Sequence, residues 1–201
     1  MADPRTLKVV VWIVCLVPFP WLGWRILEDG LGANPIEELI HWAGRAALTV
    51  LFLALAVTPV RRITGYNRLI SVRRLVGLFA FFYASLHLLL YAVVDQGLAW
   101  SFIIEDVTDR WYITAGFSAF LTMVPLAITS TKGWIRRLGK RWARLHRLVY
   151  LTGALGVLHF YWRVKADTLW PLICAALLVG LLAPRVWWAF QKKKRARPAP
   201  A

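Results

Sequence analysis

Apolar residues run along the chain in six long blocks, separated by short stretches that concentrate the charge. The blocks are Leu7–Leu27, Ala46–Val60, Leu75–Val94, Tyr112–Thr129, Leu148–Trp162 and Leu169–Phe190. A helix needs about 20 mostly apolar residues to cross a hydrocarbon core roughly 30 Å thick. The second and fifth blocks fall short and must each borrow a turn from their flanks. Open strands would leave backbone groups unpaired in lipid, so the blocks predict helices. The pattern predicts an all-α, polytopic membrane protein with one domain, six transmembrane helices within residues 1–190. Residues 191–201, basic and then rich in Pro and Ala, read as a disordered cytoplasmic tail. The first block has the basic start (Arg5, Lys8) of a signal peptide, but no small-residue cleavage site follows it. It reads as a retained helix, kinked at Pro18 and Pro20 rather than ended there.

Composition agrees with the pattern: 59% of the 201 residues are apolar and 12 are Trp. The formal charge of +15 would suit nucleic acid, but its distribution gives another reason for it. Arg5 and Lys8 precede the first helix; Arg61, Arg62, Arg68, Arg73 and Arg74 lie between the second and third. Lys132 to Arg147 follow the fourth helix, and Arg185 to Arg197 fall at the end. These alternate connections hold 20 of the 25 basic residues, while the intervening ones hold nine of the ten acids. This is the positive-inside pattern, with both termini in the cytoplasm of a bacterial inner membrane. The basic face meets anionic membrane lipid, and nucleic acid is not needed to explain it. Cys15 and Cys174 stand singly, and the absence of CxxCH excludes covalent c-type haem attachment. No internal repeat at a fixed period is visible.

The spans contain few titratable groups other than histidine. His87 lies in the third helix and His159 in the fifth; His146 and His41 stand near helix starts. An ionisable residue inside a span is a functional candidate by default. Both the third and fifth helices run outward, so His87 and His159 reach a similar depth in the outer half. Two neutral imidazoles at matching depth suit the two axial positions of one haem. His146 lies 13 residues before His159, about 20 Å along a helix, near the opposite face. The third helix offers Arg73 and Arg74, not a second histidine, opposite it, so an inner haem would have an unusual or missing partner. Arg45 and Arg163 each follow a histidine by four residues and share its helix face. Either would suit a haem propionate, or would snorkel to the interface. Gly153 and Gly156 would let a flat macrocycle approach the fifth helix, or serve plain helix packing. Arg73 and Arg74 suit a phosphate, a propionate or lipid headgroups.

The runs GLGANPIEELIHWAGRAAL (Gly30–Leu48), TPVRR (Thr58–Arg62), RRLVGLFAFFYASLHLLLY (Arg73–Tyr91) and ITSTKGWIRRLGKRWARLHRLVYLTGALGVLHFYW (Ile128–Trp162) carry a resemblance. They resemble the MsrQ (YedZ) family, within the ferric-reductase-like transmembrane superfamily. The resemblance implies a haem b-binding subunit, also binding FMN, that serves a periplasmic molybdopterin methionine sulfoxide reductase, MsrP. It implies electrons from quinol and an electron-transfer role rather than the reductase catalysis itself. By position it puts the haem-linked, metal-ligating histidines at His87, His146 and His159, and matches His41 without assigning it to iron. The alternative is a stand-alone ferric or cupric reductase, which the acidic outer connections would also suit.

Overall fold

The computed structural model describes residues 3–28 and 30–195, and among these every regular element is helical. The first apolar block is two helices, α1 (Pro4–Leu16) and α2 (Pro18–Leu27), broken where Pro18 supplies no N–H. The second is far longer than its apolar run: α3 spans Pro35–Thr64. Its ends are well signalled. Asn34 Oδ1 accepts from the Glu37 N–H at 3.3 Å, Pro35 opens the first turn, and Gly65 closes the helix at φ +70°. The third block is α4 (Arg73–Leu89), which continues as a π-helical turn over Leu90–Asp95. A short amphipathic helix, α5 (Trp100–Asp109), precedes α6 (Trp111–Ile128). The basic connection that follows is itself helical, as α7 (Lys132–Leu138) and α8 (Lys140–Leu145). Helices α9 (Leu148–Arg163) and α10 (Leu169–Arg195) complete the chain.

Five segments are long and apolar enough to span a membrane: Arg5–Leu27, Pro35–Thr64, Arg73–Asp95, Trp111–Ile128 and Leu169–Trp188. This is a multi-pass membrane protein. The expected sixth, α9, has 16 residues and does not borrow a turn. His146 caps α8 just before it, and Val164 beyond it is extended at φ −81°, ψ 121°. At the other end, α10 continues through Arg195 into the segment expected as a disordered tail; residues 196–201 lie outside the described residues.

Two antiparallel pairs, α3 with α4 and α6 with α9, share the most extensive contacts. Helix α10 packs on α9 and α3, and α1 rests on α4. The core between α1, α3 and α4 is built from Trp42, Val50, Leu51, Phe79 and Tyr83. Tyr83 is fully buried, and its hydroxyl donates to the Cys15 carbonyl at 2.6 Å, tying α1 to α4. Large apolar side chains such as Ile13, Leu121 and Val179 point outward, as a lipid-facing surface requires.

Candidate functional site

His87 on α4 and His159 on α9 are brought together, their ring centroids 6.0 Å apart and their planes at 76°. Each ring is held by a helix of its own pair. His87 Nδ1 meets the Ile40 carbonyl of α3 at 2.8 Å, and His159 Nδ1 meets the Tyr112 carbonyl of α6 at 2.6 Å. A carbonyl only accepts, so both Nδ1 atoms carry the proton and both Nε2 atoms keep a lone pair. Close approach of ring to helix needs a residue without Cβ. Gly44, one turn after Ile40, would put a methyl 3.1 Å from His87; Gly116, one turn after Tyr112, would put one 2.6 Å from His159.

The two arrangements repeat one design. In both, 47 residues separate the carbonyl from the histidine it orients. A repeat is therefore present in the site where none was visible in the sequence, because it consists of three residues in otherwise different helices. Gly44 and Gly116 are the residues that sequence reasoning missed. Gly153 and Gly156, chosen instead, face Leu178 and Leu48 and serve the packing of α9 against α10 and α3.

Above the pair, His41 on α3 and Arg163 at the end of α9 are in direct contact, the guanidinium Nη1 donating to His41 Nε2. Glu37 Oε1 lies 3.6 Å from the same nitrogen. Arg45 turns elsewhere, to Glu38 Oε1 at 2.8 Å on the exposed surface.

His146 stands apart from the other histidines, at the basic end. There a cavity of about 490 Å³ opens between α3, α4, α6 and α9, walled by Arg73, Arg74, Trp142, His146, Tyr150 and Arg185. Among the described residues, no Asp or Glu lines it. The Thr129 hydroxyl donates to the Pro125 carbonyl at 2.6 Å, so it accepts from His146 Nε2 at 3.1 Å. His146 is thus presented oppositely to the other two: Nε2 is engaged and Nδ1 keeps the lone pair. Trp142 stacks on its ring at 3.9 Å and donates to the Thr129 carbonyl at 3.0 Å. Burial and then the charge of Arg73 push the His146 pKa below its ordinary value, keeping the ring neutral at pH 7. Arg73 also reaches Thr58 Oγ1 at 3.4 Å. Arg185 was grouped with the terminal charges in the sequence, yet it turns inward.

Residues 42–157 match the family of the ferric reductase like transmembrane component. The chain is also similar to proteins described as the heme-binding subunit MsrQ of protein-methionine-sulfoxide reductase. The one from Xanthomonas euvesicatoria pv. vesicatoria is 45% identical, covering 96% of this chain and 94% of that protein. The Caulobacter vibrioides protein is 45% identical over 98% and 100%, and that of Xanthomonas campestris pv. campestris 48% over 90% and 85%. No solved structure matches the chain. Similarity of this degree over nearly the whole length, together with the matched helical core, means that the chain belongs to the MsrQ family of ferric-reductase-like transmembrane proteins.

Proposed function

We propose that this chain is a haem-binding electron-transfer subunit of a methionine sulfoxide reductase system. It takes electrons from the quinol pool and passes them, by way of haem b and FMN, to a periplasmic molybdopterin reductase of the MsrP kind, for repair of oxidised periplasmic proteins. The observation that carries the reading is the His87–His159 pair, with both Nε2 lone pairs available and both rings locked by backbone carbonyls. A metal–imidazole bond is about 2 Å long, so centroids 6.0 Å apart suit one metal centre shared by two rings. Haem, when bound, supplies one-electron transfer, and flavin converts paired electrons to single ones.

The protein's own residues do the rest. Ile40 and Tyr112 fix the tautomer and raise the basicity of the ligating nitrogens, as partners of metal-bound histidines do. Gly44 and Gly116 let the rings seat against α3 and α6. The Arg163 guanidinium, neighboured by His41, supplies positive charge for propionates at the acidic end. Arg73 and Arg74 supply it in the cavity, for a flavin phosphate or inner propionates. In this reading α9 is the sixth crossing. Its 16 residues extend about 24 Å, and Trp162 and Arg163 complete the distance at the interface. Both termini face the cytoplasm of the bacterial inner membrane.

The test is an absorption spectrum of the purified protein, oxidised and then reduced with dithionite, alongside capture from solubilised membranes. A reducible b-type spectrum and co-capture of a molybdopterin protein support the reading. A protein without haem overturns it. A haem protein that captures no partner, yet reduces ferric chelates by itself, favours the stand-alone reductase.

A further inference from the structure

The cavity at the basic end holds more positive charge than the arginines of α4 supply. Arg185 enters it from α10, which lies outside the matched core of residues 42–157. Its guanidinium spans three helices: from α10, Nη1 donates to the Tyr150 hydroxyl of α9 at 3.0 Å, and Nη2 donates to the Leu55 carbonyl of α3. The charged group also lies 5.4 Å from the centre of the Tyr150 ring. Its Nε is buried and has no hydrogen-bond partner among the described residues.

Three features make this more than a brace. A guanidinium has five N–H donors, and two partners leave the others, Nε included, unused. Among the described residues no carboxylate lines the cavity to neutralise the half-buried Arg73 and Arg185, and charge withdrawn from water without a counter-charge is costly. Finally, the Tyr150 hydroxyl accepts from Arg185 and keeps its own proton to donate.

We propose that Arg185 and Tyr150 form an anion-anchoring subsite in this cavity, which takes a dianionic group, a phosphate monoester or a pair of propionates, opposite Arg73 and Arg74. This rests on the reading of the cavity as a cofactor site. Helix α10 then completes the site, adding to walls from α3, α4, α6 and α9 and from the basic connection that holds Trp142 and His146. Arg185 fixes the position of the anion, and Tyr150 selects its orientation through a single donated hydrogen bond.

The test uses the full-length protein in detergent and the variants R185Q, R185K, Y150F and the double variant R73Q/R74Q. FMN and riboflavin, which differ by the phosphate, are titrated by flavin fluorescence, and haem is quantified as its pyridine complex. Loss of one charge-assisted contact weakens binding by roughly tenfold to a hundredfold. If the anion is a phosphate, R185Q loses most of the preference for FMN over riboflavin, R185K keeps part of it, and riboflavin binding is unchanged. If it is a propionate pair, R185Q lowers haem content at unchanged flavin preference. Should R185Q fail to insert, Y150F carries the comparison: a several-fold loss in either readout supports the subsite, and unchanged values overturn it. Loss of thermal stability with both readouts intact makes Arg185 a brace and overturns the proposal. Loss in R73Q/R74Q alone also overturns it while sparing the cofactor reading of the cavity. No change in any variant overturns both.

Discussion

Gly116 bears the tightest contact at the paired histidines, since a methyl group there would lie 2.6 Å from His159 Nδ1. The ring cannot retreat without giving up its 2.6 Å bond to the Tyr112 carbonyl. Gly116→Ala should therefore displace His159 and cost about 1–3 kcal/mol, the usual range for overpacking. Gly44→Ala, with its methyl 3.1 Å from His87, should do less. Gly180 has open space around its Cβ position, away from the cavity, and serves as the control. Thermal unfolding and haem content measured on the three variants should rank them in that order. Replacing His87 or His159 by Ala should remove most of the dithionite-reduced b-type absorption from protein that still inserts. Full haem content in both variants would refute the assignment. The histidines themselves were legible in the sequence, because a titratable group is conspicuous in an apolar run. The glycines were not, because a glycine that admits a ring looks the same in sequence as one that packs against Leu178, as Gly153 does.

The helices follow the same division between what composition reveals and what partners decide. Five of the six apolar blocks contain helical segments of spanning length, since hydropathy over about 20 residues is a one-dimensional property. The first turns of α3 were hidden, because Glu37 and Glu38 precede the apolar run and only the Asn34 cap marks the start at Pro35. The inward turn of Arg185 was hidden for a related reason. Charge near a helix end usually faces water, and only the contacts with Tyr150 and Leu55 turn it inward. Helix α1 is lightly held on the bundle, and the bond from Tyr83 to the Cys15 carbonyl is one of its ties to α4. Tyr83→Phe removes that bond and should cost about 1 kcal/mol. Cys15, 3% exposed, should then react faster with a membrane-permeant maleimide. An unchanged labelling rate would show that packing alone holds α1.

At the scale of the whole molecule, charge sets the orientation. Reporter fusions after Val94 and Arg163 should read as periplasmic, and those after Arg68, Lys140 and Lys194 as cytoplasmic. A cytoplasmic signal from a fusion at Asp106 would invert the proposed path of the electrons. The repeated carbonyl, glycine and histidine divide the bundle into halves, one containing α3 and α4, the other α6 and α9. Contacts within each half exceed those between α4 and α6. The half of α3 and α4 precedes that of α6 and α9 in the chain, and each contains both its imidazole and the carbonyl that orients it. On the proposed ligation by His87 and His159, haem would bind only once both halves are in place, and its capture would report their correct insertion. Cells starved of haem should accumulate a chain that proteases cut readily between Asp95 and Trp111, and resupplied haem should restore resistance without new synthesis.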